Sequence, residues 1–159
     1  MNITYAPKDI LQIDDARIIR RNFSGAPGKY NRAGDRSFVV LIPNEEQANE
    51  LIERGWNVRI KPPREDGEEP FRYLPVKVKF NDHGPAVYLC TGTRKVKLDE
   101  DGIDILDGID IMSVDLDIRP YNWTVDGETG RSAYLSAICV TQQTDRFYSD
   151  ELSSDDAPF

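Results

Sequence analysis

The sequence lacks the patterns that mark a membrane or secreted protein. No apolar stretch approaches the roughly 20 residues that a membrane-spanning helix needs. The N-terminus, MNITYAPKDI, has no basic segment followed by an apolar run. Neither membrane insertion nor secretion is therefore expected, and the predicted location is the cytoplasm.

Residues that bind metals or act as nucleophiles are also scarce. The chain has one histidine, His83, which falls in a predicted turn, and two cysteines, Cys90 and Cys139. Both cysteines lie in apolar runs without C-x-x-C spacing, which predicts reduced thiols in the core. No Ser/His/Asp set, phosphate-binding loop or internal repeat is visible. The sequence therefore predicts neither an enzyme nor a bound metal or cofactor.

Charge is present but unevenly distributed. The net charge is −8, yet residues 17–97 contain 16 Lys and Arg against 10 Asp and Glu, a net charge of +6. Residues 98–159 contain 3 basic residues against 15 acidic ones, a net charge of −12. This asymmetry predicts a basic working face on an otherwise acidic protein, so the overall charge does not exclude an anionic ligand.

Alternating apolar residues predict short β-strands. The clearest strand covers 73–80, where apolar residues alternate with Tyr73, Lys77 and Lys79, and Pro75 indicates an edge or bulged position within it. A single helix is predicted over 44–54, since Asn44 precedes apolar residues at helical spacing and Gly55 supplies a stop. The other predicted strands are 16–23, 37–42, 56–61, 86–91 and 112–119, followed by a hairpin of 121–125 and 131–141.

About seven short strands with no regular alternation of strand and helix favour a mainly β fold. A small OB-type barrel with extra strands is the leading prediction, and a β-sandwich is the alternative. The length of 159 residues suits one domain, predicted over 1–144. The acidic segment 145–159 contains too few apolar residues to offset chain entropy and is predicted to be a disordered tail.

Single-stranded nucleic acid exposes phosphates, which Lys and Arg bind, and base faces, on which aromatic rings stack. The sequence interleaves both residue types in a glycine-broken basic loop, residues 24–36, and in the strand 73–80. Tyr30 and Tyr73 are the predicted stacking residues, whereas Phe38 and Trp56 are expected in the core. The complete predicted DNA-binding set is Arg21, Phe23, Lys29, Tyr30, Arg32, Arg36, Arg59, Lys61, Tyr73, Lys77, Lys79, Arg94, Lys95 and Lys97.

The ending Asp155-Asp156-Ala157-Pro158-Phe159 resembles the acidic tip of bacterial and phage single-stranded DNA-binding proteins (SSB). The stretches NFSGAPGKYNRAGDRSFVV, GWNVRIKPPRE and DIRPYNWTVDGETGRSAYL are similar to small phage-encoded proteins of that class. Two features depart from the bacterial pattern, namely Ala157 in place of isoleucine and the lack of a long Gly/Gln-rich linker.

This resemblance implies an OB fold that coats and protects single-stranded DNA (ssDNA) during phage replication, recombination and repair in the cytoplasm of a bacterial host. It also implies that the tip, Asp155, Asp156, Pro158 and Phe159, docks on replication and recombination proteins. A homo-oligomer such as a dimer is left open.

Two other functions stay open at this point. The Asp-rich segment 99–117 could supply the carboxylates of a metal-dependent nuclease, although no histidine accompanies it and its spacing matches no calcium loop. Alternatively, the basic loops could be docking surfaces of a protein-interaction adaptor that binds no nucleic acid. Binding to oligo(dT), and cleavage of ssDNA with magnesium or manganese, would distinguish the three functions.

Overall fold

Strand pairing dominates the structure, a computed structural model that describes residues 1–147. One α-helix, α1 (Glu45–Glu53), and two short 3₁₀ helices, Pro7–Asp9 and Ile103–Asp107, accompany the strands. The strands are β1 (Asn2–Tyr5), β2 (Leu11–Asp14), β3 (Ile18–Asn22), β4 (Arg36–Leu41), β5 (Arg59–Lys61), β6 (Phe71–Val78), β7 (Ala86–Thr91), β8 (Arg94–Leu98), β9 (Ile111–Val125) and β10 (Glu128–Gln142).

The ten strands form one sheet with the order β1-β2-β9-β10-β6-β4-β3. Off this path, β5 pairs with β6, and β7 pairs with both β10 and β8. The pairs are antiparallel except that β10 runs parallel to β6 and to β7. β10 therefore pairs with β9 along one edge. Along its other edge it pairs first with β6 and then, further along the strand, with β7.

A bend in the chain connects β2, which is second from one end of this path, to β3 at the other end. β2 pairs with β9 and β3 pairs with β4, and only Asp15–Arg17 separates β2 from β3. In the bend, the Ala16 N–H donates to the Val114 carbonyl (2.8 Å), and the Arg17 carbonyl accepts from the Leu41 N–H (2.9 Å). No pairing between described residues joins β1 or β2 to β3, so the hydrogen-bonded ladder stays open there, as in the partly open barrel of the OB fold. The predicted mainly β class is confirmed.

Helix α1 forms as the sequence predicts. The side chain of Asn44 accepts a hydrogen bond from the Gln47 N–H (2.8 Å) and so caps the first turn. Ala48 and Leu51 point into the core, which is built mainly from the inward faces of the strands and also includes Ile103 and Leu106 of the second 3₁₀ helix. Within residues 1–147, no helix is both long and apolar enough to cross a membrane.

Pro75 is predicted at an edge or bulged position, but β6 is not an edge strand of the sheet. β6 pairs with β4 along one side, opposite Val39 at Pro75. Along its other side β6 pairs with β5 at Phe71–Tyr73 and with β10 at Val76–Lys77. Pro75 occupies the gap between these two partners, where that side of β6 has no ladder to interrupt.

The two cysteines are half-buried neighbours on β7 and β10. Their Sγ atoms lie 3.0 Å apart, and both are free thiols. They therefore line the outer side of the sheet, whereas the sequence predicts them in the core. Burial and the hydrogen bond with Cys90 raise the pKa of Cys139 to about 11, which keeps this thiol protonated at neutral pH.

Candidate nucleic-acid interface

A row of polar and aromatic side chains crosses four strands on the outer face of the sheet. Ser37 of β4 lies opposite Lys77 of β6. Lys77 lies opposite Tyr134 of β10, and Tyr134 lies opposite Arg119 of β9. Paired residues of a sheet project to the same face, so these four side chains are neighbours. The residues on either side of Lys77 and of Tyr134 in sequence are buried, which directs both side chains outward.

A cleft of about 530 Å³ opens between this row and the basic loop. Four of its lining residues are cations and two are acids, which gives it a net positive charge. Its basic residues are Arg32, Arg36, Lys77 and Lys79, its acids are Asp35 and Glu100, and its aromatic residues are Phe80 and Tyr134. The structure thus brings together four cations that the sequence predicts for DNA binding.

The basic loop is closed on itself at its base. The Gly34 N–H donates to the Gly25 carbonyl (2.7 Å), and Gly25 has a φ of +71°, with Gly34 Cα only 2.9 Å from where its Cβ would be. Glycine suits both requirements, because it has no Cβ and adopts positive φ freely. The side-chain amide of Asn31 donates to three loop carbonyls at 2.8 to 3.1 Å. The loop therefore holds Tyr30 outward, with 93% of its surface exposed.

Tyr134 is the aromatic residue of the row and is missing from the sequence-based set. The Lys77 Nζ lies 5.8 Å from its ring centroid, and the guanidinium carbon of Arg119 lies 5.0 Å from it. The ring of Tyr121 approaches it edge-on at 6.0 Å. A ring flanked by two cations can stack on a base while the cations bind phosphates.

Two further aromatic rings continue outward along β9 from the row. Tyr121 is 57% exposed, and Trp123 lies two residues further along the strand and covers Gly130 of β10, where a Cβ would collide with the indole. Arg119, Tyr121 and Trp123 thus share one strand face. Their two-residue spacing is the available signal in the sequence, and the sequence-based set misses it because that set contains no residue beyond Lys97.

A second cluster, the β6 patch, surrounds Tyr73 at the other end of β6. The rings of Tyr73 and Phe71 lie 5.1 Å apart, and the guanidinium carbon of Arg20 lies 5.5 and 5.6 Å from them. Arg59 and Lys61 on β5 stand opposite Tyr73 and Phe71. The structure therefore places three predicted residues together here and adds Arg20 and Phe71 to them.

The remaining predicted cations lie elsewhere. Lys29 is exposed beside Tyr30, with its Nζ 5.4 Å from the ring centroid. Arg94, Lys95 and Lys97 project from β8, which pairs only with β7 in the described part of the chain. None of these three lines the cleft, so β8 forms a separate basic strip.

Arg21 and Phe23 are predicted to bind DNA, but both serve the fold. Arg21 Nη1 donates to the carbonyls of Leu106 and Ile109 at 2.7 and 2.8 Å and so holds the second 3₁₀ helix against β3. Phe23 is fully buried and stacks on Phe38 with ring centroids 5.3 Å apart. Phe23 has no exposed surface for a base, so we exclude it from the interface. Arg21 is half-buried with its Nη1 bound to two carbonyls, and its contact with DNA stays a prediction.

Several carboxylates of the acidic segment 99–117 also make contacts that stabilise the fold. The carboxylates of Asp99, Asp107 and Asp115 each accept hydrogen bonds from backbone N–H groups. Burial and the nearby charge of Asp14 raise the pKa of Asp117 above its usual value. Over residues 1–147, no three His, Cys, Asp or Glu side chains converge as a metal site. The nuclease hypothesis therefore gains no support from this segment.

An open β-sheet face that combines a cation-lined cleft with outward aromatic rings is typical of OB-type domains that bind single-stranded nucleic acid. A family model described as "Putative phage ssDNA-binding domain" matches residues 1–156. The chain belongs to this family. No curated protein matches the sequence.

Solved structures of a phage protein share the fold. The single-stranded DNA-binding protein from bacteriophage Enc34, in complex with ssDNA, is 14% identical with a TM-score of 0.58, over 92% of this chain and 94% of that chain. The structure of its C-terminal truncation is 13% identical in sequence, with a TM-score of 0.57, over 91% of both chains. A third structure of the Enc34 protein is 12% identical in sequence, with a TM-score of 0.57, over 98% of this chain and 93% of that chain.

The burial of Phe23 predicts that its replacement changes stability and leaves DNA affinity intact. Phe23→Ala should lower the free energy of unfolding by about 3 to 5 kcal/mol, because it leaves a cavity beside Phe38. Urea denaturation followed by tryptophan fluorescence measures this loss. Phe23→Leu should fold and bind oligo(dT) as tightly as the wild type. A folded Phe23→Leu variant with clearly weaker binding would return Phe23 to the interface.

Proposed function

We propose that this protein binds, coats and protects ssDNA during phage replication, recombination and repair, and that it does so without catalysis. The observation that carries the proposal is the Lys77, Tyr134 and Arg119 row beside the cleft of Arg32 and Arg36. Family membership supports it, as does the fold shared with the Enc34 protein, whose structure in complex with ssDNA is known.

The proposed mechanism needs only positions and charges. Cations of the cleft bind successive phosphates, while Tyr134, Tyr73 and the exposed Tyr30 stack on bases. Each stacked base contributes about 1 to 3 kcal/mol to affinity, whatever the base. In a duplex the base faces are already stacked on one another, so the aromatic rings favour single strands. No bond is made or broken.

Arg94, Lys95 and Lys97 keep a place in this proposal as contacts for a longer strand. They lie on β8 rather than in the cleft, and the Lys95 Nζ lies 4.5 Å from the ring centroid of Tyr88. This pair repeats, on a smaller scale, the combination of cation and aromatic ring found at Tyr134. A DNA strand that leaves the cleft, passes β10 and crosses β7 would reach Lys95 and Tyr88.

Binding to oligo(dT) should fall steeply with salt. Three to four phosphate contacts in the cleft predict a slope of log K against log salt of about −2 to −3, since each contact to a single strand contributes roughly 0.7. Fluorescence titration of a labelled oligo(dT) between about 50 and 200 mM salt measures this slope. The strand should remain intact when magnesium or manganese is added.

Two results of that titration would favour the other functions. If oligo(dT) did not bind even at about 50 mM salt, where phosphate contacts are strong, the protein would be an interaction adaptor. If the strand were cleaved in the presence of either metal, the nuclease hypothesis would replace this one.

Loss of the stacking rings should weaken binding in the folded protein. Tyr134→Ala, Tyr73→Ala and Tyr30→Ala are each expected to reduce affinity for oligo(dT) about 10-fold, because each removes one base-stacking surface. The matched controls are the phenylalanine variants, which keep the ring and should keep most of the affinity. Equal affinity of the alanine and phenylalanine variants would show that these rings do not stack on bases.

We further propose that the acidic tip, Asp155, Asp156, Pro158 and Phe159, recruits replication and recombination proteins in the bacterial cytoplasm. The tip lies outside the residues that the structure describes, as does most of the predicted tail 145–159, so its composition alone supports this proposal. The predicted domain boundary at 144 falls just after β10, which ends at Gln142. A homodimer remains a further proposal, which light scattering after size exclusion would test.

Deletion of residues 153–159 should separate the two activities. We expect the truncated protein to bind oligo(dT) equally or more tightly, most visibly at low salt, because deletion of this segment removes negative charge. The full chain should retain replication and recombination proteins of the host or phage in pull-down assays, and the truncated chain should not. Weaker binding of DNA after truncation would contradict the role proposed for the tip.

A further inference from the structure

We infer that Glu100 occupies a phosphate site of the cleft and competes with DNA for Arg36. This inference rests on the proposed function, because it concerns the affinity of the same cleft. Glu100 belongs to the segment between β8 and β9 and lines the cleft with Arg36. Its Oε1 accepts a hydrogen bond from Arg36 Nη1 at 3.1 Å.

Arg36 is held in place by contacts that do not involve Glu100. Its Nε donates to the Phe23 carbonyl at 3.0 Å, and its guanidinium carbon lies 5.6 Å from the ring centroid of Phe80. Only 19% of the Arg36 side chain is exposed. The guanidinium therefore cannot swing out to meet a strand, and a phosphate must come to the edge where Glu100 now binds.

Glu100 is the movable partner of this pair. Its side chain is 56% exposed, and it has no second hydrogen bond that would fix it among those the structure gives for the described residues. Carboxylate and phosphate oxygens bind the guanidinium group in the same planar geometry. An ion pair with one exposed partner contributes little net stability, so a phosphate can replace Glu100 at Arg36.

Asp35, the other acid of the cleft, provides a matched comparison. It pairs with Arg32 at 3.7 Å, and the two side chains are 60% and 93% exposed. Arg32 can therefore leave Asp35 and follow a phosphate, whereas Arg36 cannot leave its position. Glu100→Gln and Asp35→Asn remove the same charge from the same cleft, but only Glu100→Gln frees an anchored guanidinium.

The two variants should differ in affinity and in salt dependence. Glu100→Gln should tighten binding to oligo(dT) by about fivefold at low salt, the upper end expected for a partly exposed ion pair. It should also steepen the slope of log K against log salt by up to about 0.7, since Arg36 then neutralises a phosphate fully and displaces its counterion. Asp35→Asn should tighten binding less than twofold, as expected for an exposed charge. Fluorescence titration over salt measures both quantities.

A double-mutant cycle tests whether Glu100 acts through Arg36. In an Arg36→Gln background, Glu100→Gln should tighten binding no more than Asp35→Asn does in the wild type. Arg36→Gln also loses the contact with Phe23, so urea denaturation must first show that it folds. If it does not fold, the comparison of salt slopes between Glu100→Gln and Asp35→Asn decides the question.

Each outcome has one meaning. Equal tightening by Glu100→Gln and Asp35→Asn would show a general charge effect and would overturn the inference. No tightening by Glu100→Gln, in a protein that binds oligo(dT), would also overturn it and would leave the proposed function standing. A wild-type protein that does not bind oligo(dT) at any salt would remove the proposed function itself.

Discussion

The long antiparallel ladder between β9 and β10 is the constraint on which the other features depend. Each strand has 15 residues, and β10 also supports β6 and β7 on its second edge. This arrangement sets the position of Arg119 and Tyr134 relative to Lys77, so the ladder determines where cations and rings meet. The cleft exists because the basic loop, which leads into β4, folds over the end of this row.

Local patterns predict the parts of the fold that depend on nearby residues. The capped helix α1, the alternation in β6 and the boundaries of β7 follow from spacing that a few residues reveal. β1 and β2 are missed, because four-residue strands with mixed polarity carry too little periodicity to be recognised. β8 is recognised only as a basic patch, since an exposed edge strand does not alternate between apolar and polar residues.

In the candidate site too, residues whose surroundings are local are predicted, and residues that depend on distant contacts are missed or misplaced. Tyr30 is predicted correctly as exposed because a glycine-rich loop has no core to receive it. Phe23, seven residues earlier, is placed in the same set and is buried, because its partner Phe38 comes from a strand beyond the loop. Tyr134 is missed because its neighbour Lys77 lies far away in sequence and meets it only through the parallel pairing of β10 with β6. Contacts of this kind depend on register, which a single sequence does not display.

The bend at Asp15–Arg17 has a consequence for self-association. The Ala16 N–H and the Arg17 carbonyl in this bend are already hydrogen-bonded to Val114 and Leu41, so these two groups are not available to a second molecule. Among the described residues, β1, β3, β5 and β8 each pair with one neighbour only. Two of these edges carry cations, Arg59 and Lys61 on β5 and RKVKL on β8. Like charges on an edge strand repel an identical edge and so oppose aggregation. The same lysines and arginines that suit a phosphate backbone would thus also keep copies of the protein apart when no DNA is bound.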